Sequence, residues 1–142
     1  MKVSKILILE DDLKTLSVLL NKLSSVFVHK EGGAEAEKVE FSVTVISDCD
    51  KVDKFINKMN KGEFDIILLD RDCSLGGSFH LLDIPKFGAK KVIAISSVPE
   101  FNQELKEKYG IDAIIEKDFE KLDNFADRVT VIIKQMLRNR PQ

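Results

Sequence analysis

Four apolar runs in this 142-residue sequence each end in side chains that carry a charge or a hydroxyl. Lys5–Leu9 leads into Glu10, Asp11 and Asp12, Ile66–Leu69 into Asp70, Val92–Ile95 into Ser96, and Ala113–Ile115 into Glu116 and Lys117. A carboxylate can attack a phosphorus centre and form an aspartyl-phosphate when a cation offsets its charge and that of the donor. Asp70 is the candidate nucleophile. Lys117 supplies a point charge for a phosphoryl oxygen and Ser96 a hydroxyl donor. Crowding Glu10, Asp11, Asp12 and Asp70 on one rim is costly unless a cation sits there or one carboxylate holds a proton. Hard oxygen ligands suit Mg²⁺, which shares phosphate readily. The plainer alternative is that Asp12 only caps a helix while Glu10 and Asp11 are solvated.

These residues share a rim only if the runs are neighbouring parallel strands. Short β-branched runs separated by helix-like stretches predict that arrangement, with both faces buried. The strands are expected at Lys5–Leu9, Phe41–Ile46, Ile66–Leu69, Lys91–Ile95 and Ala113–Glu116. The first helix starts near Asp12 and carries Leu13, Leu16, Leu20, Leu23 and Phe27 at helical spacing. His29–Glu40 reads as a polar connection. A second helix carries Val52, Phe55, Ile56 and Met59, with Ser47 or Asp50 as its cap and Gly62 as its stop. A short helix bearing Phe79 and Leu82 is limited by Pro85, and the next opens on Pro99 and closes before Gly110. The last carries Leu122, Phe125, Val129, Ile132, Ile133 and Met136. Alternating units with right-handed crossovers make an α/β doubly wound three-layer sandwich on a five-stranded parallel sheet. Strand order 2-1-3-4-5 places the ends of strands one and three together at the topological switch point, the acidic triplet beside Asp70.

The composition narrows the function. The length suits one domain spanning 1–142. A net charge of -2 argues against direct nucleic-acid binding, and no apolar run reaches the ~20 residues of a membrane span. Cys49 and Cys73 form no CxxC pair and suit a reducing compartment, so a cytoplasmic setting is expected. His29 and His80 lack partners at metal-ligand spacing.

With these motifs in order, the chain resembles the receiver domain of two-component response regulators (CheY-like, flavodoxin-like), in a stand-alone form. The resemblance covers nearly the whole length. It rests on the acidic pair within Glu10-Asp11-Asp12, on Asp70, on Ser96 and on Lys117. It implies phosphotransfer from a sensor histidine kinase or histidine phosphotransfer protein onto Asp70. It also implies Mg²⁺ (or Mn²⁺) held by Asp11, Asp12 or Glu10, by Asp70 and by the backbone carbonyl of Asp72. Aligned on Leu7-Ile8-Leu9, the pair falls at Asp11 and Asp12; a register one residue earlier stays open, because all three residues are acidic. Such a protein catalyses only its own phosphoryl transfer and hydrolysis, and signals to a downstream protein by contact or phosphorelay.

Three positions depart from the family pattern. Asp118 follows the lysine in place of proline, Ile114 precedes it by three in place of an aromatic, and Cys73-Ser74 replaces a Met-Pro turn. These bear on output more than on phosphorylation. A receiver-fold adaptor that binds without being phosphorylated is the main alternative. A phosphatase of the haloacid dehalogenase type, suggested by Asp70-Arg71-Asp72, places its Asp-x-Asp after the first strand, whereas here two strands precede it.

Overall fold

Residues 3–29, 33, 35–71 and 78–139 are described by a computed structural model. Strand β1 (Val3–Leu9) is followed by α1 (Leu13–Leu23), a small pair β2 (Phe27–His29) and β3 (Ala36–Lys38), and β4 (Glu40–Ile46). Then come α2 (Asp50–Lys54), β5 (Ile66–Leu69), α3 (Ile84–Phe87), β6 (Val92–Ala94), α4 (Pro99–Tyr109), β7 (Ala113–Ile114) and α5 (Leu122–Arg138). Short 3-10 turns lie at Ile56–Lys58, Phe79–Leu81 and Ala89–Lys91.

The main sheet is five-stranded and parallel, in the order β4-β1-β5-β6-β7. This is the expected 2-1-3-4-5 order once the β2-β3 pair is counted. Its central strands have a core on both faces because side chains alternate and every position of β5 and β6, and of Ile6–Leu9 in β1, is apolar. Leu7, Leu9, Ile67 and Leu69 meet Val52, Ile84 and Leu105 on one side. Ile6, Ile8, Ile66 and Leu68 meet Leu16 and Leu19 of α1 and Phe125, Val129 and Ile133 of α5 on the other. Burying each such side chain contributes about 1.5–3 kcal/mol.

Helix ends follow local chemistry. Asp12 caps α1, its Oδ2 accepting from the Thr15 N–H at 2.9 Å. Pro99 opens α4, and Gly110 closes it at φ 76°, the left-handed region that a Cβ disfavours.

Five expectations need correction. His29–Glu40 is not a plain connection: Phe27–His29 and Ala36–Lys38 pair antiparallel, with β3 exposed along its length, so burial left no apolar alternation to read. Phe27 belongs to β2, and α1 ends at Leu23. The buried stripe of α1 is Thr15, Leu16, Leu19 and Leu23, whereas Leu13 and Leu20 are exposed. The second helix is one short turn: Asn57 is drawn away, donating to the Leu81 carbonyl at 2.8 Å and accepting from the Asp83 N–H at 2.9 Å. Phe55 consequently faces solvent. Pro85 sits in the first turn of α3 and so helps start a helix instead of ending one.

Candidate functional site

Hydrogen bonds continue past the carboxyl ends of the strands and bring the four motif segments together. The Asp70 N–H donates to the Leu9 carbonyl at 3.0 Å, and the Lys117 N–H donates to the Ser96 carbonyl at 3.2 Å. By strand alternation Glu10 continues the Ile6–Ile8 face, Asp70 the Ile66–Leu68 face and Lys117 the Ala113–Ile115 face, all on the side covered by α1 and α5. The three side chains meet there.

The Lys117 ammonium lies 2.7 Å from Glu10 Oε2 and 2.5 Å from Asp70 Oδ2. All three groups are buried: Glu10 is 0%, Asp70 3% and Lys117 4% exposed. The other Glu10 oxygen, Oε1, accepts from the N–H groups of Asp11 and Asp12 at 3.1 and 3.0 Å. Burial first, and the Asp70 charge second, push the Glu10 carboxyl up to about 8, although Lys117 pulls it down. Burial works to lower the Lys117 pKa, but Glu10 and Asp70 outweigh it and the net direction is upward. Two acids thus share one ammonium.

The rest of the acidic triplet is placed differently. Asp12 is the α1 cap: its Oδ2 also accepts from the Thr15 hydroxyl at 2.5 Å, and that bond leads the causes holding its carboxyl below the usual range. Asp11 is partly exposed. The triad formed with Asp70 and Lys117 therefore uses Glu10. Asp72 and Cys73 lie outside the described residues. Among the described residues no three His, Cys, Asp or Glu side chains are placed to hold a metal ion.

Ser96 is buried, and its Oγ accepts from the Val98 N–H at 3.1 Å. Its backbone is clamped by a residue the motif reading missed. Asn102 of α4 accepts from the Ser96 N–H at 2.9 Å and donates to the Ser96 and Ile115 carbonyls at 3.0 and 3.4 Å. The signal was present: Asn102, Leu105 and Tyr109 share one helical stripe, so Asn102 is a polar residue at a core position. Arg71, next to Asp70, is a second residue that the motif does not include. Its Nη1 lies 2.9 Å from Glu104 Oε2, and its guanidinium stacks 4.3 Å from the Phe101 ring centre, both on α4.

Cys49 is disulfide-bonded, so cysteine usage does not favour a reducing compartment. Among the described residues no helix is long and apolar enough to cross a membrane.

No protein-family model matches the sequence, and no curated protein matches it. Solved structures do match. The phosphorylated cyanobacterial phytochrome response regulator RcpA aligns with TM-score 0.69 at 16% identity, covering 99% of this chain and 98% of that one. The receiver domain of the Erythrobacter litoralis response regulator PhyR aligns with TM-score 0.59 at 19% identity, over 100% and 97%. The bacteriophytochrome response regulator AtBRR aligns with TM-score 0.58 at 18% identity, over 100% and 98%. With five parallel strands in this order, and acid, acid and ammonium at three of their carboxyl ends, the chain has the fold of response regulator receiver domains.

Proposed function

We propose that the chain is a phospho-accepting receiver: Asp70 takes a phosphoryl group from a phosphohistidine donor and passes the signal on by protein contact or phosphorelay. The observation that carries this reading is the buried Asp70–Lys117–Glu10 cluster at the strand ends of a receiver fold. In the transfer, an Asp70 carboxylate oxygen forms the new O–P bond as the donor P–N bond breaks, and the imidazole leaves. Lys117 already lies on Asp70 Oδ2 and is positioned to follow the charge onto a phosphoryl oxygen. The donor is a histidine kinase or histidine phosphotransfer protein, and the chain turns over no other substrate.

The residues that the receiver resemblance assigns to Mg²⁺ (or Mn²⁺) are Asp11, Asp12 or Glu10, and Asp70; as placed they form no ready metal site, because both Glu10 oxygens and Asp12 Oδ2 already accept hydrogen bonds that a cation would have to displace. Bound there, the cation would offset the charge of the incoming phosphoryl group.

Incubation with a small-molecule phosphodonor and Mg²⁺ should add about 80 Da, one phosphoryl group as in any covalent phospho-intermediate, to the intact mass. Asp70→Asn should abolish that adduct. An adduct that survives the substitution would overturn the assignment, and no adduct on the native chain would favour the binding-module alternative.

A further inference from the structure

The outer edge of β4 is long, regular and unguarded. β4 pairs with β1 without interruption from Glu40 to Ile46, and among the described residues no strand pairs with its other side. Native edges are normally blunted by lysine, proline, a bulge or shortness. Glu40-Phe41-Ser42-Val43-Thr44-Val45-Ile46 has none of these. Val43 and Val45 are 39% and 37% exposed.

The orientation of the edge groups follows from one hydrogen bond. The Ile46 carbonyl accepts from the Glu10 N–H, so it faces β1. By alternation the backbone groups of Thr44, Ser42 and Glu40 also face β1, whereas those of Phe41, Val43 and Val45 point outward.

We propose that this edge is the interface with a second copy of the chain, joined antiparallel about a two-fold axis at Val43. That register overlaps all of β4. Val43 then pairs with Val43 of the second copy and Phe41 with Val45, both as hydrogen-bonded pairs that use the outward N–H and C=O groups. Ser42 falls opposite Thr44, a favourable polar pair. The only charge in the strand, Glu40, meets Ile46 and no like charge.

A strand joint alone buries less than the roughly 1,200 Å² typical of a stable interface. The flank of α1 supplies more. Val43 and Val45 are in register with Ile6 and Ile8, hence on the face that α1 covers. Lys22 of α1 pairs with Asp127 of α5 at 3.0 Å. Leu13 and Leu20 sit half a helical turn round from Lys22, so they project away from α5, toward β4. Both are exposed, and the two-fold brings two such flanks together. The occupant is a second copy because the strand complements itself residue by residue.

Sedimentation velocity on the native chain, from about 1 μM to about 1 mM, should show a monomer–dimer equilibrium with an affinity in that range. Val43→Pro removes an outward N–H but no β1 bond, and Val43→Lys adds an edge charge; both should leave circular dichroism unchanged and the protein monomeric. Under mild oxidation Val43→Cys should cross-link at the axis far faster than Val45→Cys, which faces Phe41 and not its own copy. A native chain monomeric across the range would overturn the proposal. So would equal cross-linking by both cysteine variants, or a dimer that persists in both Val43→Pro and Val43→Lys.

Discussion

Glu10 is where burial and charge conflict most sharply. Its carboxyl is driven from an ordinary value of 4.5 up to about 8, first by burial and then by Asp70. The folded chain therefore holds this proton more tightly than the unfolded chain. Its stabilising effect is complete below about 4.5 and is lost as pH rises through about 8. Asp12 acts in the opposite sense: its carboxyl is lowered by Thr15, so its smaller contribution is present at neutral pH and lost in acid. In divalent-free buffer the melting temperature should fall between pH 4.5 and pH 8. Glu10→Gln, which keeps the shape without the titration, should flatten that fall. Parallel profiles for the two proteins would show that Glu10 keeps its proton no better folded than unfolded. Sequence alone left the register of the acidic triplet open, because three consecutive acids look alike as text. Burial and the ammonium of Lys117, 107 positions away in the chain, separate them.

At the scale of elements, strands were legible where both faces are buried and helices where a cap or proline marks an end. Ile66–Leu69 was readable because every one of its positions is buried, so no alternation had to be judged. Pro99 and Gly110 bracket α4 by backbone geometry alone. The β2-β3 pair was not legible, since an exposed strand carries no hydrophobic period. The phase of α1 is not legible in the sequence because its leucines fit two stripes, and only α5 and the sheet decide which one is covered. Asn102 shows the same limit for polar residues: its type suggests a surface, while its bonds tie α4 to the ends of β6 and β7. Asn102→Ala should take the side-chain partner from the buried Ser96 N–H and Ile115 carbonyl, while the Ser96 carbonyl keeps the Lys117 N–H. A loss of about 1–3 kcal/mol is expected from that, read by urea unfolding. A loss within error would mean that water replaces the amide.

For the whole molecule, the proposed function requires that a change at Asp70 reach a surface that a partner can read. Ile114 stands where the receiver pattern that the sequence resembles has an aromatic ring, and a β-branched side chain is stiff at χ1. It packs against the core and, with Pro99, Gln103 and Glu107 of α4, lines a groove between that helix and β7. A swinging ring is therefore not available at this position. Arg71 provides another connection, being one residue from Asp70 while its guanidinium holds Glu104 and Phe101 of α4. A phosphoryl group on Asp70 brings charge of about -2, which competes with Glu104 for Arg71. Releasing Arg71 from α4 would shift the population of that helix and of the loop leading to it. Backbone NMR shifts across Ser97–Tyr109 should consequently change when Asp70 is phosphorylated. In Arg71→Ala the phosphoryl adduct should still form, but those shifts should be largely lost. Full wild-type shifts in that variant would remove Arg71 from the route, and no shifts in the native chain would remove α4 as the moving part.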